Sequence, residues 1–161
     1  MATYAPLFAH VEGWQWRPDL IWYDNLRSMR TVSWHVQQLY GQYKGENVLT
    51  LTMEGRPVAG AEGQNGLFAS AVKDGDKVYV KVANTSEKEQ AISLNFTGLK
   101  KKDPGLKAVR RVVLKSDELY VDNTLDEPCA IVPAEASFTG EGKTLEANVP
   151  ALSFTIFILE K

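Results

Sequence analysis

A mainly β protein is the fold class that the sequence predicts: an antiparallel β-sandwich of jelly-roll kind, preceded by a short helix-strand-helix segment. Three observations predict it. From "NVLTLTME" onward the chain consists of short alternating runs separated by turn residues, with no helical periodicity among them. Before Gly45 it is instead aromatic-rich and helix-compatible, and three of the four tryptophans crowd into "GWQWRPDLIWYDN". Finally, 161 residues with 44% hydrophobic side chains are enough for one ordinary core and short for two. The compositional boundary divides the chain into residues 1–44 and 45–161.

In the first segment, "LIWYD" at 20 to 24 is apolar on both alternating faces until Asp24. A strand of that kind is covered on both sides, as in the parallel sheet of an α/β protein. "TVSWHVQQLYGQY" then places Val32, Val36, Leu39 and Tyr43 at helical spacing, with Gly41 and Gly45 as stop signals. Helix, strand, helix is one slice of a larger α/β architecture, and one slice gives its strand no parallel neighbour. The chain therefore reads as part of a larger protein.

In the second segment, "KVYVKVAN" sets Val78, Val80 and Val82 on one side and Tyr79, Lys81 and Ala83 on the other, the period of a strand with one buried face. "DGD" at 74 to 76 is a tight hairpin turn ahead of it. Ile92, Leu94 and Phe96 repeat the alternation, as do Phe154, Ile156 and Ile158.

Charge and cysteine usage exclude several functions. A formal charge of -2 and a pI near 5.7 offer no long-range attraction to phosphate or anionic lipid, which argues against nucleic acid and membrane partners. The basic runs Lys100 to Lys102 and Arg110-Arg111 read as solvated loop and strand positions. The single cysteine, Cys129, cannot form an internal disulfide or a thiolate metal cage. No stretch has the length of a spanning helix, and the first residues lack the basic-then-apolar pattern of a signal peptide. His10 and His35 are not at helical spacing and stand beside no cysteine or carboxylate cluster, so no metal site is expected. Nucleophile-elbow and phosphate-loop patterns are missing too. Asp24, expected at the C-terminal end of its strand, reads with Asn25 as an Asx turn or cap.

"MATYAPLFAHVEGWQWRPDLIWYDN", followed by "HVQQLYGQYKGENVL", "LFASAVKDGDKVYVKVAN" and "ALSFTIFILEK", resembles the C-terminal third of the glycoside hydrolase family 51 α-L-arabinofuranosidases. The resemblance implies a retaining glycosidase acting on terminal arabinofuranosyl residues of arabinan or arabinoxylan, with a (β/α)8 barrel followed by a jelly roll. On that footing residues 1–44 are the last helix, strand and helix of the barrel. The family's two catalytic glutamates lie on earlier barrel strands, and no segment here resembles the motifs that carry them. Their place cannot be taken by Asp19 and Asp24: five residues of extended chain hold them roughly 16 Å apart, whereas retaining chemistry needs carboxyl groups roughly 5 Å apart. The chain alone is therefore expected to catalyse nothing, and no catalytic residue is assigned within it. Neither a metal nor an organic cofactor is implied.

From the family, Gln37 carries over as a ligand to sugar, where an amide bonds hydroxyls without adding charge; the alternative, from the residues alone, is that Gln37 and Gln38 are merely polar positions of a helix. Trp14 and Trp16, in a loop before the strand, are candidates to stack on sugar, while Trp22 and Trp34 are expected to fill a seam between domains. The implied partners are the rest of the barrel, an arabinose-containing polysaccharide and further copies of the protein, because bare apolar surface favours association. The parent's location is left open, the periplasm or the exterior being the expectation. The rival reading makes the β-domain a carbohydrate-binding module. Such a module would need a solvent-facing row of rings among Tyr79, Phe96, Tyr120, Phe138, Phe154 and Phe157.

Overall fold

The computed structural model describes residues 4–161. They divide into two compact units, the first ending at Gln42 and taking in Glu118–Val132, the second comprising Tyr43–Asp117 and Pro133–Lys161.

The first unit holds strands β1 (Phe8–His10), β2 (Ile21–Tyr23) and β3 (Ser28–Arg30) and the helix α1 (Val32–Gln42). β1 pairs parallel to β2, Phe8 opposite Ile21 and His10 opposite Tyr23. β3 pairs antiparallel to β2 on the other side, from Ile21 opposite Arg30 to Tyr23 opposite Ser28. Two expectations are corrected here. Among the described residues no helix precedes β2; a strand stands there, since Pro6 has no amide hydrogen to give to a helix and Leu20 N and Ile21 N donate to the carbonyls of Pro6 and Leu7. The two-sided apolar strand does have a parallel neighbour, drawn from its own chain. Ala9, Trp22 and Met29 are buried together, and Leu125 packs on them.

The second unit contains β4 (Asn47–Leu49), β5 (Thr52–Met53), β6 (Arg56–Pro57), β7 (Leu67–Asp74), β8 (Lys77–Asn84), β9 (Gln90–Asn95) and β10 (Leu106–Lys115). β11 (Ala134–Ala136), β12 (Gly140–Gly142), β13 (Thr144–Val149) and β14 (Ser153–Glu160) complete it. One sheet runs β11-β10-β14-β8-β7-β4, with β12 also on β10; β13 and β9 form a separate antiparallel pair. All pairings in this unit are antiparallel. Val78, Val80, Val82, Phe157 and Leu159 from the large sheet and Leu145 and Val149 from β13 share one core, with Ile92, Leu94 and Phe96 packed against it. This two-layer packing is consistent with the expected sandwich.

The hairpin between β7 and β8 closes with Asp74 opposite Lys77, and Gly75 supplies φ of 57° at its first loop position, a value that glycine adopts without strain. Gly45 has a different role from a helix stop. A Cβ there would lie 2.6 Å from the carbonyl oxygen of Lys73, so the backbone approach to β7 requires its absence.

β8 departs from its expected one-sided burial. Tyr79 and Lys81 are buried as well as the valines, so both faces of this strand are covered, and on the second face the Tyr43 ring meets Tyr79 edge-on at 5.5 Å. Burial pushes the Lys81 ammonium below the ordinary lysine range. In β14 likewise Ile156 and Ile158 are buried along with Phe157 and Leu159, so both faces of this strand are covered.

Candidate functional site

Every residue proposed from the sequence as a sugar contact lies in the first unit. Trp14 and Trp16 are in the loop between β1 and β2, 46% and 53% exposed. Trp14 meets the buried Trp22 edge-on at 5.9 Å, and the Arg17 guanidinium lies 5.0 Å from both ring centres. That arrangement holds Trp14 by ring and cation-π contacts. Trp22 belongs to the core of its own unit. Trp34, on α1, is half-buried with the Arg30 guanidinium 4.3 Å from its ring centre.

α1 starts where its sequence provides a cap. Thr31 Oγ1 accepts from Trp34 N at 3.3 Å, the N-cap bond that satisfies one of the orphan amides of a first turn, and donates to the Leu20 carbonyl at 2.8 Å. No acidic residue of the helix stands in that turn. Asp122 provides one from ninety residues away: its Oδ1 accepts from Val32 N at 2.7 Å and from Asn123 N at 2.8 Å. Asn123 fixes the same segment, donating to the carbonyls of Arg30 and Ile131 and accepting from Ile131 N at 2.7 Å. Arg27 closes it further, its guanidinium on Asp126 at 2.9 Å. These contacts went unseen in the sequence, where "VDNTLDEPCAI" resembles an ordinary polar loop.

His35 and Leu39 form the buried stripe of α1, one turn apart, and Gln37, two residues from each, is half-buried on the opposite face of the helix. The Gln37 amide makes no hydrogen bond among the described residues. Gln64, by contrast, is fully engaged, accepting from Ala59 N and Ala61 N and donating to the Pro57 carbonyl. An amide left uncommitted is available to an external hydroxyl.

Asp24 forms the Asx turn, accepting from Leu26 N at 2.8 Å and Arg27 N at 2.6 Å. These backbone bonds, aided by the Arg27 side chain, hold its carboxyl below the ordinary range. Asp19 and Asp24 stand at opposite ends of β2. Asp19 is 1% exposed with neither carboxylate oxygen hydrogen-bonded, and Asp24 is committed to its turn. Among the described residues no group of three or more His, Cys, Asp or Glu is placed to hold a metal ion, and no helix is long and apolar enough to cross a membrane.

His35 is 6% exposed with neither ring nitrogen hydrogen-bonded. Burial pushes its imidazole below the ordinary value of 6.5; the Gln38 side chain opposes this, the Arg30 charge adds to it and the Asp122 carboxylate opposes it. With the folded value below the unfolded one, the unfolded chain takes up the proton first as pH falls. Stability from this group is therefore complete above about pH 6.5 and declines below it. Melting temperatures of the chain between pH 7.5 and 5 should fall, and His35→Gln should remove part of that slope; an unchanged slope would contradict the assignment.

The α-L-arabinofuranosidase C-terminal domain model matches residues 1–153. The chain is 29% identical to α-L-arabinofuranosidase 1 of Arabidopsis thaliana over 168 residues, covering 100% of this chain and 23% of that protein. It is 25% identical to α-L-arabinofuranosidase A of Aspergillus kawachii over 158 residues, again 23% of the relative. Among solved structures, the arabinose-bound GH51 enzyme MgGH51 superposes with a TM-score of 0.81 at 26% identity, over 98% of this chain and 24% of that one. The GH51 arabinofuranosidase of Xanthomonas axonopodis pv. citri gives 0.72 at 27% identity, over 88% of this chain and 29% of that one. The chain thus spans about a quarter of the length of the relatives it matches, and it belongs to the family of C-terminal domains of GH51 α-L-arabinofuranosidases.

Proposed function

We propose that the chain forms the closing part of a retaining α-L-arabinofuranosidase that removes terminal arabinofuranosyl residues from arabinan or arabinoxylan. Residues 1–44 are the last segment of its (β/α)8 barrel, and residues 45–161 are the β-sandwich that accompanies it. The observation carrying this reading is the family match across nearly the whole chain, confined to about a quarter of each relative. Further support comes from the parallel pairing of β1 with β2, the kind of pairing from which a barrel is built. Leu7, Phe8, Trp16 and Leu26 are more than half exposed, apolar surface suited to contact with the rest of a barrel or with another copy.

The general acid/base and nucleophile glutamates belong to the earlier barrel strands of the parent. This chain contributes Gln37, and in the loop between β1 and β2 Trp16 and Trp14, to the wall of the arabinofuranose subsite. The uncommitted amide of Gln37 and the exposed ring of Trp16 support these roles. Against the binding-module reading stand the rings themselves: Tyr79, Phe138, Phe154 and Phe157 are buried, while Phe68 and Tyr120 are exposed on different units. Kinetics of the full-length enzyme on an aryl arabinofuranoside test the site. Gln37→Ala should raise KM about tenfold and Trp16→Ala about threefold, the scale of one lost hydrogen bond or stacking contact. Unchanged kinetics in both would remove them from the subsite.

A further inference from the structure

We infer that Asp122, carried by the segment between β10 and β11, is a positioning residue for Gln37, acting through the start of α1. The inference rests on the reading of Gln37 as a sugar ligand. An eleven-residue helix is marginal alone, so where α1 begins and how it is seated depend on contacts outside it. Its first turn has four amides to satisfy and no acidic side chain of its own. Thr31 takes the amide of Trp34, and the amide of Val32, the first helical residue, is taken only by Asp122. A carboxylate at this position also complements the positive end of the helix dipole.

Asp122 is itself held in register. Its Oδ1 also accepts from Asn123 N, and Asn123 is buried with its amide bonded to the backbone on both sides, at Arg30 and at Ile131. One end of this device grips the residue just before the helix cap; the other grips the first helical amide. Gln37 follows Val32 by five residues, about 7.5 Å along the axis. A shift of the first turn therefore moves its amide by a distance that matters to a hydrogen bond of 2.7–3.2 Å. Residues on a loop of the β-domain sequence thereby set the geometry of a helix that the same chain places far earlier.

The test uses the full-length enzyme and the aryl arabinofuranoside. Asp122→Ala should raise KM about fivefold with kcat within twofold of the parent. Asp122→Asn, whose amide oxygen can accept from the same two amides, should restore it. In a Gln37→Ala background Asp122→Ala should add nothing to KM, because the ligand it positions is gone. If Asp122→Ala does not fold, Asp122→Glu, which carries the carboxylate one methylene past Val32 N, should raise KM in its place. A KM rise of equal size with and without Gln37, or no rescue by asparagine, would overturn the inference while leaving the subsite reading intact. An unchanged KM for Gln37→Ala alone would overturn the reading of Gln37, and this inference with it.

Discussion

Phe157→Ala should lower the unfolding free energy by about 4 kcal/mol, the scale of emptying a large ring from a core that collapses only partly around it. Phe157 is 0% exposed on β14, between Val80 of β8 and Arg111 of β10, and its ring lies 4.9 Å from that of Phe138. Few sites in the chain combine this volume with this burial. A cavity here would touch both layers of the core, since Leu145 and Val149 belong to the same cluster. Tyr120→Ala is the contrasting case: at 102% exposure it should change stability by less than about 0.5 kcal/mol. Chemical denaturation of the two variants beside the parent chain measures both, and comparable losses would contradict the placement of the core.

Asn84→Ala should cost about 3 kcal/mol without removing a large volume, because the loss is one of hydrogen bonding. The Asn84 amide nitrogen donates to the carbonyls of Lys88, Val149 and Pro150 at 2.8, 3.3 and 2.9 Å, and its oxygen accepts from Ser86 N and Ser86 Oγ. At 1% exposure none of these carbonyls is readily resupplied with water beside it. The side chain thus ties the turn after β8 to the link between β13 and β14. Asn84→Asp separates the two halves of the amide, since it keeps the acceptor and turns the donor into a carboxylate oxygen facing three carbonyls. It should be at least as destabilising as alanine. A well-tolerated aspartate would show that the donor side of the amide carries nothing.

The parts of the fold that were legible in the sequence are those decided locally. Ile92, Leu94 and Phe96 alternate with exposed Ala91, Ser93 and Asn95, and the period of two survives intact because β9 lies in a two-stranded pair with one face toward the core. α1 followed from its apolar spacing, and Asp24 formed the turn that its side chain favours. Strand β14 was only half legible. A period of two cannot show that Ile156 and Ile158 are buried as deeply as Phe157, because that depends on what covers the second face of the sheet, which alternation along one strand does not encode. The helix expected ahead of β2 followed from the order of a barrel slice, and the pairing of β1 with Ile21–Tyr23 shows a strand there.

The candidate site divides along the same line. Gln37, Trp14 and Trp16 were named from a pattern of neighbours in sequence, and the structure puts all three in the first unit. Asp122 could not be named that way, since a cap supplied across ninety residues leaves no local signal; Thr31, directly before α1, is the cap that sequence order could have shown. His35 is similar: its spacing from Leu39 is visible in the sequence, but the burial that depresses its imidazole is not.

The central claim is that this chain is a structural and subsite-completing portion of an arabinofuranosidase and holds no sugar site of its own. Calorimetric titration of the purified 161-residue chain with arabino-oligosaccharides tests it most directly. The account predicts no binding heat up to millimolar sugar, because in the proposed function Gln37 and Trp16 supply only one wall of a subsite whose remainder lies in the parent barrel. Saturable heat with micromolar affinity would contradict it and would make the chain a carbohydrate-binding module.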